Sequence, residues 1–422
     1  MAHFNTTSFI HKPPFPRNYG SEFLLLDKGK GSHVFDTMGK RYLDFSSGIA
    51  VNSLGYGRKD LARVAAKQMK RLIHVSNLYA TEPAVALAQR IIQDVNTVIP
   101  EKQYQAVHFG NSGTEAIEAA LKYARRYSVN QRGAEHTGFI AFSNSFHGRT
   151  MGALSVTSSE KYRAPFSPLI PGVRFLPYND PEALRSALQE DNRVAGIILE
   201  VIQGEGGLNM VSPSFISAIE QEAAEHNIPI IADEIQSGLG RTGRLLASQS
   251  CGLKPDIICL SKPLAGGLPL SATVITEAIN QEIQPGDHGS TFGGGPVTTA
   301  VAGTVWKIIS DSGFLAGVRS RAAILEGELR KLSADYDFCG TLRGEGMLLG
   351  VPIHLPTDDK DNNPIKFILD TCREHGLLVL RSGENIIRIA PPLTITEKDI
   401  RRGVQILRRA VAELDSTTKR SS

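Results

Sequence analysis

From about residue 59 to residue 306 the chain alternates short, β-rich apolar runs with amphipathic helical stretches. The candidate strands are 106–109, 138–142, 173–176, 196–200, 229–233, 257–261 and 271–275. Candidate helices include 82–95, 114–127 and 213–227. Several strand runs are apolar at successive positions, as parallel strands covered on both faces must be. Such alternation over some 250 residues leaves few architectures open. It predicts an α/β class fold with a mostly parallel central sheet and helices on both faces.

The flanks read differently. Short strands are expected at 22–26, 33–36 and 41–44, after an arm containing Pro13, Pro14 and Pro16. Beyond about Ser312 come a long helix (315–334), strands at 347–351, 377–381 and 385–389, and helices at 364–375 and 397–414. We therefore expect three parts. Residues 1–58 form an arm and strands belonging to the small domain, 59–311 a large ligand-binding domain, and 312–422 a smaller C-terminal α+β domain.

Charge excludes some functions. Lys and Arg number 46 against 43 Asp and Glu in 422 residues, a net +3. A nucleic-acid binder carries a concentrated basic surface. The one basic cluster, Arg401-Arg402 with Arg408-Arg409, has helical spacing and suits a solvated face. No run approaches the ~18 apolar residues of a membrane span. The four cysteines form no CxxC and the histidines no HExxH, so reduced thiols, no metal site and a cytoplasmic location are expected.

Three motifs carry chemistry. Lys262 follows the apolar run 257–260 and enters a loop with Gly266-Gly267. Asp233 ends the apolar strand 229–233, at the sheet edge where open α/β folds bind ligands. Residues 111–115 (NSGTE) sit between a strand and a helix, where exposed N–H groups and the helix dipole favour an anion such as phosphate. Read singly, these are a surface lysine, a strand-end cap and a helix N-cap. Together they supply a Schiff-base amine, a partner for a pyridinium N–H and a phosphate cradle, which is what pyridoxal phosphate asks of a protein.

The strings NSGTEA (111–116), SFHGRT (145–150), EVIQGEGG (200–207), DEIQSGLGRTG (233–243) and HGSTFGG (288–294) resemble the class III, or ω-amino acid, aminotransferases. So do Lys262, RGEG (343–346) and RIAPP (388–392), and the resemblance runs from about residue 20 to 414. It implies a fold-type I pyridoxal-phosphate homodimer with active sites shared between subunits. It also implies roles. Lys262 holds the cofactor and shuttles a proton, Asp233 keeps the pyridine nitrogen protonated, and Gln236 bonds the ring hydroxyl. Phe146 stacks on the ring. Gly113 and Thr114 hold the phosphate, Thr291 reaches it from the partner, and Ser290 lies near the substrate. Arg388 and Arg149 take the α- and γ-carboxylates of glutamate, with Glu205 pairing to Arg388 when the donor lacks an α-carboxylate there.

Within the family, 48–55 (GIAVNSLG), 74–79 (HVSNLY) and His147 are most similar to the acetylornithine branch. Ile117, Ser261, Pro263 and Gly295 depart from its common pattern. The expected reaction moves the distal amine of N-acetylornithine to 2-oxoglutarate. Another ω-aminotransferase, acting on ornithine, succinylornithine or 4-aminobutyrate, is the alternative, followed by a pyridoxal-phosphate aminomutase or decarboxylase.

Overall fold

The computed structural model describes residues 8–11, 13–19, 22–355 and 363–421, with side chains to 417. The first seven residues of the arm lie outside the described residues. Seven strands make the large sheet: β1 (Tyr104–Gly110), β2 (Gly138–Phe142), β3 (Val173–Leu176), β4 (Val194–Glu200), β5 (Ile230–Asp233), β6 (Ile257–Leu260) and β7 (Ser271–Thr276). Their spatial order is β1-β7-β6-β5-β4-β2-β3. Neighbours from β6 to β3 pair in parallel, and β7 alone runs antiparallel to both of its neighbours. The mostly parallel α/β sheet expected from the sequence is present, and each expected strand matches within two residues at either end.

Alternation in these strands feeds two cores. Phe139, Ala141, Ile198, Ile231, Ile257 and Cys259 face one side, against the small residues Ala116, Ala119, Ala120 and Ala124 of the helix Gly113–Arg132. Ile140, Phe142, Ile197, Leu199, Ile230 and Ala232 face the other, against the helices Pro181–Glu190 and Pro213–His226. Alanine on the first helix lets its axis approach the sheet closely, and the two-residue turn Asn111-Ser112 after β1 sets its N-terminus at the strand end.

Two expected strands each prove to be two. Residues 22–26 split at Leu25: Glu22–Leu24 pairs with Phe9–His11, whereas Leu26–Lys30 pairs with His33–Asp36. Residues 377–381 split at Val379: Leu377–Leu378 runs parallel to Arg41–Asp44, and Leu380–Ser382 runs antiparallel to Ile386–Ile389. The second split ties the N-terminal strands to the C-terminal region. A third core, with Leu43, Phe45, Leu325, Leu349, Ile389 and Leu407, binds these strands to the helices Ser312–Ala334 and Glu397–Ser421.

Arg241 connects the C-terminal region to the sheet. It is fully buried and donates to the carbonyls of Met347 (3.2 Å) and Pro391 and to Ser53 Oγ (2.7 Å). Pro391 lies three residues beyond Arg388, so this clamp fixes the strand end that carries Arg388. Among the described residues no helix is long and apolar enough to cross a membrane. Arg401 pairs with Glu397 and Glu328, and Arg408 with Asp335, on an exposed helix face.

Candidate active site

Asp233 is the last residue of β5 and is buried. Its Oδ1 accepts the Ile235 N–H at 3.0 Å, and its Oδ2 lies 2.8 Å from His147 Nδ1. His147 is buried too, and its Nε2 has no hydrogen-bond partner. A bare ring nitrogen costs less in that setting than an N–H without an acceptor. The favoured tautomer therefore carries its proton on Nδ1 and donates it to Asp233. Asp233 is held by two donors and keeps lone pairs for a third.

Lys262 follows β6 by two residues, on the strand next to β5. No hydrogen bond or ion pair of its amine occurs among the described residues. Burial lowers its pKa, and Arg388 lowers it further, while Glu205, Asp233 and Glu200 push it back up. A larger fraction of the amine is thus neutral, and nucleophilic, than in water.

The helix Gly113–Arg132 starts directly after β1 and the Asn111-Ser112 turn. Ser112 makes no side-chain cap, so the first-turn N–H groups stay open to an anion. Glu115 instead folds back onto the Asn111 backbone and side-chain amides. The cradle is tight. Thr114 Oγ1 lies 2.9 Å from Thr150 Oγ1, and a Cβ on Gly148 (φ +140°) would stand 2.3 Å from Thr114 Oγ1 and 2.9 Å from Ala153 Cβ. Gly148→Ala should therefore cost about 2 kcal/mol or more through backbone strain and displacement of Thr114. A lowered Tm with weakened pyridoxal phosphate uptake by the apoprotein checks this, and unchanged values for both contradict it.

Phe146 is half-buried, and its ring stands 6.5 Å from that of Tyr162, edge to face. The exposed Arg149 lies over both rings, 3.6 Å from the Tyr162 centroid and 5.5 Å from that of Phe146. Arg388 is buried and donates to the Gly204 carbonyl (2.8 Å), to Gln236 Oε1 (3.2 Å) and to Glu205. Its side chain is 5% exposed, against 34% for that of Glu205. Gln236, expected beside a ring hydroxyl, thus also touches Arg388. Ser290 Oγ accepts from Gly293 N (3.0 Å) and Asn111 Nδ2 (3.3 Å). Thr291 next to it is exposed and makes no hydrogen bond to Thr114 among the described residues. It lines a cavity of about 300 Å³ with His74, Asn77, Tyr79 and Gly294.

The sheet edge therefore gathers Asp233, Gln236, Lys262, Glu205, Arg388 and the helix N-terminus, as the motifs suggest. Three participants carry no motif role: His147 on Asp233, Tyr162 under Arg149, and Glu200, the last residue of β4 and the register partner of Asp233. Glu200 was discoverable as the acid ending a seven-residue strand that is otherwise apolar. Tyr162 carried no comparable signal.

Solved structures share this architecture. An ornithine aminotransferase from Toxoplasma gondii ME49 is 29% identical, with a TM-score of 0.87 over 96% of this chain and 94% of that one. An N-acetylornithine aminotransferase from Stenotrophomonas maltophilia K279a is also 29% identical, with a TM-score of 0.79 over 96% and 98%. Fold and sheet edge together define a fold-type I pyridoxal-phosphate enzyme. The chain belongs to the class III aminotransferases: the family model described as "Aminotransferase class-III" matches residues 15–411. Among sequence relatives, the mitochondrial acetylornithine aminotransferase of Eremothecium gossypii is 42% identical over 98% of this chain and 97% of its own length. The acetylornithine aminotransferase of Caldanaerobacter subterraneus subsp. tengcongensis is 39% identical over 93% and 95%.

Proposed function

We propose that this aminotransferase moves the distal amine of N-acetylornithine to 2-oxoglutarate, giving N-acetylglutamate 5-semialdehyde and glutamate. The names of its relatives support the donor, and the Arg388–Glu205 pair supports a site that serves two unlike substrates. Arg388 is fixed by the Gly204 carbonyl and Gln236, whereas Glu205 is the more exposed, movable partner. With N-acetylornithine, whose carboxylate is far from the reacting amine, Glu205 stays on Arg388. With glutamate, the α-carboxylate replaces it in a charge-assisted pair. Arg149, without an ion pair among the described residues and braced on Tyr162, takes the distal carboxylate of either substrate.

Pyridoxal phosphate, when bound, supplies the electron sink for breaking the bond at the amine-bearing carbon. The protein supplies the rest. The N-terminus of the helix Gly113–Arg132, with Thr114, binds the phosphate. Asp233, oriented by His147, holds the proton on the pyridine nitrogen. Phe146 covers the ring and Gln236 bonds its hydroxyl. Lys262 anchors the cofactor and carries the proton to and from the substrate carbon, a task suited to an amine with a lowered pKa.

The reading includes a homodimer, with Thr291 of each protomer reaching the partner's phosphate and Ser290 beside the substrate. Leu78 (87% exposed) and Tyr79 line the Thr291 cavity and the exposed Phe292 follows Thr291 in the chain, an apolar surface that a second copy would cover. Boundaries near residues 59 and 312 are part of the same reading, since the large sheet lies wholly between them. A cytoplasmic location fits the four free cysteines. Relatives from Eremothecium and Alnus are named mitochondrial, and localisation of a C-terminally tagged chain separates the two.

The arginines provide the test. Arg388→Ala should cripple the glutamate half-reaction by roughly 2–4 kcal/mol, the cost of a lost charge-assisted pair. The N-acetylornithine half should suffer less. Arg149→Ala should damage both halves. Single-turnover kinetics with each donor decide: equal losses for Arg388→Ala, with Arg149→Ala harmless, would refute the carboxylate assignment.

A further inference from the structure

Glu200 is buried at the end of β4 and has no cation within ion-pairing distance among the described residues. Burial, and then the neighbouring Asp233 charge, push its carboxyl well above the usual range; the Phe146 and Gly204 N–H groups and Lys262 oppose that. A carboxylate in such a place is costly. Its two oxygens are divided between two loops. Oε2 accepts the Phe146 N–H at 2.9 Å and Oε1 the Gly204 N–H at 3.2 Å. A glutamine presents one accepting oxygen, so only a carboxyl group, with lone pairs on both oxygens, can accept from both donors. Gly204 is held through its next peptide unit as well: its carbonyl accepts from Arg388 Nη1 (2.8 Å) and Ser382 Oγ (2.9 Å). A Cβ on Gly204 would stand 2.1 Å from Gln236 Oε1, so the Gln236 side chain packs directly against this glycine.

We propose that Glu200 is a positioning residue whose carboxyl group ties the Phe146 loop to Gly204, and through that residue sets Arg388. The ring-covering loop and the glutamate-binding arginine are then one mechanical unit, built on the strand next to Asp233. The part that concerns Arg388 rests on the two-carboxylate reading above.

Amide hydrogen exchange on the apoprotein tests the tie without any turnover. In the wild type both the Phe146 and Gly204 amides should exchange slowly for loop positions, and rapid exchange of either overturns the proposal. That measurement stands even if substitutions at Glu200 fold poorly. In Glu200→Gln at least one of the two amides should exchange 10-fold faster or more. Unchanged exchange at both overturns the proposal. The same variant should lose at least 10-fold more kcat/KM in the glutamate half-reaction than in the N-acetylornithine half. Equal losses in both halves with a lower Tm would mark Glu200 as merely structural and overturn it. Arg388→Ala, measured alongside, separates the two ideas. If that variant spares the glutamate half, the reading of Arg388 fails, while the exchange result still judges the Glu200 tie.

Discussion

Lys262→Ala should leave a folded protein that has lost at least ~10⁴-fold in turnover, the scale on which removal of a covalent catalyst acts. The Lys262 side chain is half-buried and its amine makes no hydrogen bond or ion pair among the described residues, so its removal strands no partner and the fold should persist. The phosphate cradle at the N-terminus of the helix Gly113–Arg132 is untouched by the substitution, so pyridoxal phosphate should still bind, noncovalently. Borohydride reduction of the wild type, followed by peptide mass mapping, should place the cofactor on Lys262. In the variant no lysine should be labelled. A variant with a reduced adduct on another lysine, or with near-normal turnover, would show that Lys262 is not the anchor.

Asp233→Asn should keep the fold and lose on the order of 10²–10³-fold in rate, as when a charge placed to stabilise a transition state is removed. The geometry makes the substitution worse than a loss of charge. The Asn carbonyl oxygen can still accept from Ile235 N–H, but its amide then meets the proton on His147 Nδ1. Relief by moving that proton to Nε2 creates a buried donor without an acceptor. The ring hydrogen-bonding that Asp233 enforces is thus disturbed at two atoms. Single-turnover rates in both half-reactions check this, and both should fall together, because the pyridine nitrogen serves each. A rate within a few-fold of wild type would remove Asp233 from its proposed role.

The large sheet was legible because parallel strands buried on both faces leave continuous apolar runs such as Gly138–Phe142 and Ile257–Leu260. Where one extended run serves two sheets, the pattern gives no sign of it. Residues on either side of Leu25 and of Val379 remain strand-like, and only the partners change. At the site, Lys262, Asp233 and the NSGTE turn could be read because each marks a strand end. Contacts that cross between strand ends could not. His147 meets Asp233 from 86 residues away, and Arg388 meets Gly204 from 184. Arg149 illustrates the same limit, since its substrate role came from the resemblance and its brace, Tyr162, only from the structure.

That N-acetylornithine is the donor and shares one site with glutamate is tested most directly by a half-reaction panel with the holoenzyme and no keto acid, following loss of the bound cofactor's visible absorbance. N-acetylornithine and glutamate should each discharge it, and 2-oxoglutarate should restore it. Free ornithine and 4-aminobutyrate should be markedly slower. If N-acetylornithine leaves the absorbance unchanged while ornithine or 4-aminobutyrate discharges it, the cofactor chemistry stands and the donor assignment is contradicted.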